Sequence, residues 1–118
     1  MKRSGDWGEA LVADYLRRNG YQLLAAQFRC RFGEIDLIAK KKDIICFVEV
    51  KLRTNLAHGL PREFVNTAKQ NRLRAAAAAY IAMHQITTVT RFDVAEVYTD
   101  EVHSKENTKI NYIENAFI

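Results

Sequence analysis

The segment Gly33–Lys51 specifies most of the fold. It consists of GEIDLIA (Gly33–Ala39), the charged turn Lys40–Asp43 and IICFVEVK (Ile44–Lys51). Both apolar segments have the β-branched and aromatic composition of strands, and the charged residues between them predict a hairpin turn. The second segment is almost continuously apolar, which is typical of a strand covered on both faces. Asp36 and Glu49 interrupt these two apolar runs, one on each predicted strand.

The remaining elements follow from the apolar periodicity and from helix-ending residues on both sides of this hairpin. The first half of the chain is predicted to form a helix at Gly5–Asn19, capped by Ser4 and stopped by Gly20, and strands at Tyr21–Phe28, Glu34–Ala39 and Ile44–Val50. A loop at Asn55–Arg62 is followed by a long helix that runs to about His84, with Asn66 as the cap of its main part. The remaining elements are a strand at Thr88–Tyr98, a mobile loop at residues 99–109, and a short strand or tail at Ile110–Phe117. The order α-β-β-β-α-β contains a strand–helix–strand crossover, which implies a parallel pair beside antiparallel hairpins. The sequence therefore predicts an α/β fold with a mixed central sheet flanked by helices.

Length and composition limit the class of protein. The 118 residues, spanning 1–118, predict one domain, and no apolar stretch is long enough to span a bilayer. Cys30 and Cys46 lie in apolar stretches without a C-x-x-C pair, so we expect reduced core thiols in a cytoplasmic protein instead of a zinc site. The net charge is +4, and many of the lysines and arginines lie in the middle of the chain. Such a cluster fits either a phosphate-binding face or a solvated surface.

Three acids and two lysines are predicted to face one region of the molecule. Side chains alternate along a strand, so Glu49 and Lys51 share a face, and hairpin pairing brings Asp36 near Glu49. At about 100° per residue, Glu9 lies on the apolar stripe of the first helix, and Lys69 lies at the sheet-facing edge of the second helix. Two half-buried carboxylates repel unless a divalent cation, a proton or an arginine neutralises them. Metal-assisted phosphodiester hydrolysis uses such a set, although each residue could instead be an ordinary solvated charge.

These residues resemble a known family. Asp36 and the triplet Glu49-Val50-Lys51, with Glu9 on the preceding helix, are similar to the PD-(D/E)xK nuclease superfamily. More closely, the chain resembles the YraN-like family of small bacterial proteins, which are predicted endonucleases similar to archaeal Holliday junction resolvases. The matching segments cover nearly the whole chain: Gly8–Ala10, Gly33–Ala39, Phe47–Arg53, Lys69-Gln70, Arg91–Val94 and Asn115–Phe117.

The resemblance implies a restriction-endonuclease-like fold and a catalytic set made of Glu9, Asp36, Glu49 and Lys51. It makes Asp36 and Glu49 the ligands of Mg²⁺ or Mn²⁺, with the backbone carbonyl of Val50 as a third ligand. Lys51 becomes the catalytic lysine, and Glu9 becomes an accessory acid.

The same resemblance places Lys69 and Gln70 at the phosphate, and with Arg53 and Arg72 they form the predicted nucleic-acid-binding residues. The chain departs from the superfamily pattern at Ile35, where a proline often precedes the aspartate. It also carries Asn66 where relatives often have Ser or Thr, but asparagine caps helices well.

The leading functional hypothesis is a Mg²⁺- or Mn²⁺-dependent endonuclease that acts on DNA, with branched or structured DNA and a homodimer as possibilities. The alternatives are a nuclease-fold module that binds nucleic acid or a repair partner without cutting, and a basic face that docks a protein. We expect a structural hydrogen-bonding role for Asp93 and no role for His58. Other aromatic residues divide into core residues and surface histidines: Trp7, Tyr15, Tyr80 and Phe92 in the core, His84 and His103 at the surface.

Overall fold

A computed structural model of the chain describes residues 4–53 and 65–118. Its elements are α1 (Ser4–Arg18), β1 (Gln22–Cys30), β2 (Gly33–Lys41), β3 (Ile44–Arg53), α2 (Thr67–His84), β4 (Thr90–Tyr98), a 3₁₀ turn (Lys105–Asn107) and β5 (Lys109–Phe117). The predicted loop at Asn55–Arg62 and His58 lie outside the described residues. The mixed α/β architecture and the predicted order are confirmed, and a fifth strand is added to the sheet.

The five strands form one sheet in the order β1-β2-β3-β4-β5. The β3–β4 pair is parallel, with Ile45 opposite Thr90 and Arg53 opposite Tyr98, whereas the other neighbours are antiparallel. Since β3 has a neighbour on each side and a helix layer on each face, its unbroken apolar run is explained.

Each face of the sheet is covered by one helix. On the face that packs against α1, the buried residues Val12 and Leu16 belong to one apolar cluster with Val48 of β3. On the opposite face, Leu73 and Tyr80 of α2 cluster with Phe47. Because side chains alternate, Glu49, Lys51 and Arg53 share the α2 face with Phe47. The charged residues of β3 therefore continue an apolar row toward the end of the strand where α2 begins.

The helix ends follow the predicted signals. The Asn66 side chain accepts a hydrogen bond from the backbone N–H of Lys69 at 2.8 Å, so the predicted cap of α2 is confirmed. Gly20 has φ 87° just beyond α1, and the N–H of Tyr21 donates to the carbonyl of Leu16 at 2.9 Å. Helix α1 begins at Ser4 itself, one residue before the predicted start.

The segment between β4 and β5 is organised around one carboxylate. Asp100 accepts hydrogen bonds from the backbone N–H and hydroxyl of Ser104 and from the Asn107 amide. These donors lower the pKa of Asp100 to about 2. The segment predicted as a short strand or tail is a nine-residue strand paired with β4. The mobility of residues 99–109 stays a prediction.

The aromatic residues predicted to lie in the core differ in how deeply they are buried. Tyr80 is buried and its ring packs nearly perpendicular to those of Phe28 and Phe47, and Phe92 packs against the same cluster. Trp7 is partly buried and stacks on His103 with 4.2 Å between ring centroids, so His103 has an aromatic partner instead of only solvent.

The two cysteines are free thiols, Cys46 buried and Cys30 partly buried. Within the described ranges, neither helix has the length and apolar character needed to cross a membrane.

Candidate active site

Asp36 and Glu49 lie where β2 and β3 separate. The antiparallel ladder extends from the pair Lys41 and Ile44 to the pair Leu37 and Val48, and one further step in this register sets Asp36 opposite Glu49. There the carboxylate of Asp36 accepts a hydrogen bond from the backbone N–H of Val50 at 2.8 Å. The Asp36 side chain thus accepts the hydrogen bond of a β3 backbone N–H at the point where pairing between β2 and β3 stops. This hydrogen bond fixes the position of the Asp36 carboxylate.

The two carboxylates perturb each other. Glu49 is only 5% exposed. Burial is the largest cause that raises the pKa of Glu49 to about 7, followed by the negative charge of Asp36 and the hydrogen bond between the two side chains. The nearby Lys69 and Lys51 act in the opposite direction. A buried carboxylate next to a second one is costly to ionise, so the pair is suited to hold a cation or a shared proton.

Two lysines flank Glu49. The Lys69 ammonium lies 3.4 Å from Glu49 Oε2, and the Lys51 ammonium lies 3.8 Å from the same oxygen. Both lysine side chains are about one third exposed, whereas Glu49 is nearly enclosed. The lysines therefore form the solvent-facing rim of the acidic pair, where an incoming anion would meet them first.

The lysines reach this place from different elements. Lys51 follows Glu49 by two residues and so projects from the same face of β3. Lys69 stands in the first turn of α2, whose N-terminal end carries a partial positive charge. Four of the five charges predicted to converge, those of Asp36, Glu49, Lys51 and Lys69, are brought together here.

Glu9 approaches from the α1 side of the sheet. Gly8 is buried, and a Cβ there would lie 3.7 Å from the Val50 side chain, so the first turns of α1 lie against the end of β3. Burial, followed by the charge of Asp36, raises the pKa of Glu9 to about 7. Glu9 thus interacts electrostatically with Asp36 of the acidic pair, from helix α1 to strand β2.

Gln27 holds Glu9 in this position and was missed by the sequence reasoning. Its side-chain amide donates to Asp6 at 2.9 Å and to Glu9 at 3.1 Å. Gln27 has φ 53° and lies between the ladder pairs Ala26–Leu37 and Phe28–Ile35, which sets it opposite Asp36. The left-handed backbone has no sequence signal in a glutamine, because this conformation favours glycine or asparagine.

The predicted phosphate-binding residues have different surroundings. The Gln70 amide donates to the Val65 carbonyl at 2.8 Å and accepts from Arg74 at 3.0 Å, so it is engaged at the start of α2. Arg72 is exposed. Arg53 forms an ion pair with Glu96 at 3.4 Å and is 19% exposed. Their binding of nucleic acid stays a prediction.

Glu96 is a second buried acid near the site. It pairs with Lys51 in the parallel ladder, is 1% exposed, and accepts a hydrogen bond from Asn111 at 2.9 Å. The sequence signal was an acid inside the apolar pattern of β4, but its partners come from β3 and β5 and are distant in sequence.

Asp93 has the structural role that was predicted. It is fully buried and accepts two hydrogen bonds from Arg91 at 2.8 and 2.9 Å, one from the Tyr112 hydroxyl at 2.6 Å and one from the Asn115 N–H at 2.9 Å. Arg91 is the partner that the sequence reasoning did not name. This network ties β4 to β5 on the α1 face, away from Glu49.

The donor set fits a hard divalent cation with few protein ligands. Within residues 4–53 and 65–118, no group of three or more His, Cys, Asp or Glu side chains is arranged to hold a metal ion. Two adjacent carboxylates and the nearby Val50 carbonyl are nevertheless oxygen donors of the kind that Mg²⁺ and Mn²⁺ prefer, and Mg²⁺ commonly keeps water or substrate phosphate for its other positions.

Comparisons with known proteins are consistent over the length of the chain. Residues 8–97 match the model of the uncharacterised protein family UPF0102. A UPF0102 protein of Caldicellulosiruptor bescii is 48% identical over 99% of this chain and 98% of its own length. UPF0102 proteins of Acetivibrio thermocellus and Clostridium acetobutylicum are each 44% identical over 98% of this chain, and the matches cover 92% and 94% of those proteins.

Proposed function

The chain belongs to the uncharacterised protein family UPF0102, and we propose that it is a metal-dependent endonuclease that hydrolyses phosphodiester bonds in DNA. One observation carries the proposal: the buried Glu49 lies beside Asp36, with two lysine ammonium groups within 3.8 Å of its carboxylate. Such an arrangement combines a cation site with positive charge at its open side.

The carboxylates of Asp36 and Glu49, with the Val50 carbonyl, would hold Mg²⁺ or Mn²⁺. When bound, such an ion polarises a phosphoryl oxygen and lowers the pKa of a coordinated water. The hydrogen bond from the Val50 N–H to Asp36 keeps that carboxylate oriented before any ion arrives. The same bond links the position of Asp36 to the segment of β3 that carries both Glu49 and Lys51.

The lysines supply positive charge where a phosphate would enter. Lys51 and Lys69 contact one oxygen of Glu49 yet remain partly exposed, so both ammonium groups are accessible to phosphate oxygens. Charge develops on the phosphate oxygens during hydrolysis, and preset ammonium groups stabilise it most when little water separates them. Lys69 adds the positive end of the α2 dipole to this effect.

Glu9 is suited to exchange a proton near neutral pH. Its pKa of about 7 means that both protonation states are populated there, which general acid–base catalysis requires. The Gln27 amide holds Glu9 Oε1, leaving the other carboxylate oxygen to exchange the proton. We assign Glu9 the role of accessory acid in the reaction.

The substrate assignment comes from charge and from the superfamily resemblance. The net charge is +4, and Arg72 presents an exposed cation one helical turn after Lys69. We propose DNA, including structured or branched forms, as the substrate, and the cytoplasm as the location because the thiols are free. A homodimer would add a second site for the opposite strand.

A second function has one observation in its favour. Since the described residues provide no group of three acidic or histidine ligands, a site with two carboxylates could bind DNA without turnover. This non-cleaving module predicts salt-dependent DNA binding that survives the loss of Asp36.

Cleavage assays on duplex, forked, four-way and single-stranded DNA with Mg²⁺ or Mn²⁺ test the proposal. We expect cuts by the wild type that disappear in Asp36→Asn and Lys51→Ala but persist in Asp14→Asn, an exposed acid of α1. Circular dichroism establishes that each variant is folded. If the wild type cuts none of these substrates but binds them, the non-cleaving function takes its place.

A further inference from the structure

The turn between β1 and β2 carries an exposed aromatic ring. Arg31 and Phe32 form this turn, and Cys30 and Gly33 pair on either side of it. Phe32 is 43% exposed, and among the large exposed apolar side chains of the described residues it alone is aromatic. The Arg31 guanidinium lies over the ring, 4.8 Å from its centroid. The ring and a cation thus form one unit at the end of the hairpin.

The turn is fixed against α2. Gly33 has φ 152°, and a Cβ at this position would lie 3.5 Å from the Arg72 Cβ and 3.7 Å from the Arg72 carbonyl oxygen. These are ordinary packing distances, so it is the positive φ, not a lack of space, that favours glycine here. The turn that carries Phe32 therefore lies against α2 at the exposed Arg72. Arg31, Phe32 and Arg72 are defined here as the hairpin platform.

The hairpin platform is connected to the candidate site through two elements: β2, which carries Asp36, and α2, which carries Lys69. Phe32 precedes Asp36 by four residues, which is about 13 Å along an extended strand. Arg72 follows Lys69 by three residues, which is a rise of about 4.5 Å along the helix. A nucleic acid whose phosphate meets Lys69 would therefore have its next one or two nucleotides at the platform.

We propose that the hairpin platform binds an unpaired nucleobase, so that the substrate is DNA in which single-stranded bases adjoin a duplex. The inference rests on the proposed function and specifies its substrate. An aromatic ring beside a guanidinium group is the arrangement that stacks bases and contacts their phosphates in single-strand binding. Bases inside a continuous duplex already stack on each other and cannot reach the ring.

Binding is measured without divalent ions, in EDTA, so that cleavage does not interfere. The probes are a flap DNA with 2-aminopurine among its unpaired bases and a continuous duplex of the same length. We expect the wild type to prefer the flap and to quench the 2-aminopurine fluorescence. Phe32→Ala should weaken flap binding by about tenfold or more and abolish quenching, with less than about a twofold effect on the duplex.

Two further variants make the comparison specific. Phe32→Trp keeps a stacking surface and should retain flap binding and quenching. Met83→Ala removes an exposed apolar side chain at the other end of α2 and should change neither. Equal binding of flap and duplex by the wild type, or equal losses for both DNAs in Phe32→Ala, would overturn the inference.

Cleavage of the same DNAs with Mg²⁺ separates this inference from the proposed function. Flap-specific binding through Phe32 without any cuts supports the hairpin platform and contradicts the endonuclease. Cuts that do not depend on Phe32 support the endonuclease and contradict the platform. A wild type that neither binds nor cuts either DNA contradicts both.

Discussion

Replacing Glu49 by glutamine should stabilise the protein in the absence of metal ions while abolishing the proposed DNA cleavage. Glutamine has the shape of the protonated acid but no charge, so it removes the cost of ionising a buried carboxyl beside Asp36. The pKa of Glu49 is raised from 4.5 to about 7. At about 1.4 kcal/mol for each pKa unit, this difference corresponds to a stability gain of about 3 kcal/mol above neutral pH.

The gain depends on pH with a definite sign. Because the folded-state pKa of Glu49 lies above the unfolded value, its contribution to stability is complete below pH 4.5 and is lost as the pH rises through about 7. The wild type and Glu49→Gln should therefore be nearly equal in stability at about pH 4. At about pH 8 the variant should be more stable.

Urea denaturation in EDTA, followed by circular dichroism at both pH values, measures this difference. Asp14→Asn serves as the control because that acid is exposed, and its effect should be small at either pH. A Glu49→Gln protein that is less stable than the wild type at about pH 8 would refute the reasoning. Such a result would mean that the ion pairs with Lys51 and Lys69 outweigh the cost of burial.

Three other substitutions test separate parts of the structure. Asp93→Ala should lower the free energy of unfolding by about 3–5 kcal/mol in urea denaturation, because it removes the fully buried carboxylate that accepts hydrogen bonds from Arg91, Tyr112 and the Asn115 N–H. Gln27→Met keeps the side-chain length but removes both amide donors, so the pH profile of DNA cleavage should change as Glu9 loses its partner, whereas unchanged profiles would remove Gln27 from the mechanism. Gly33→Ala should cost about 1–3 kcal/mol in thermal unfolding because alanine rarely adopts the positive φ of this position.

Much of the fold could be predicted from the sequence because the signals that specify it are local. The charged turn between two apolar runs predicted the β2–β3 hairpin, and the continuously apolar β3 predicted its central place in the sheet. Asn66 and Gly20 set helix ends through hydrogen bonds within a few residues of themselves. Segment 110–117 was ambiguous because its pairing with β4, not its own composition, makes it a strand.

The candidate site could be predicted from the sequence only in part. The sequence alone determined that Asp36, Glu49 and Lys51 interrupt or end apolar strands, because period-two alternation assigns each side chain to a face. Tertiary structure decided that Lys69 lies against Glu49, and that Gln27 holds Glu9. These contacts join elements distant in sequence, and their geometry depends on strand register and a left-handed backbone, which no local pattern of residue types encodes.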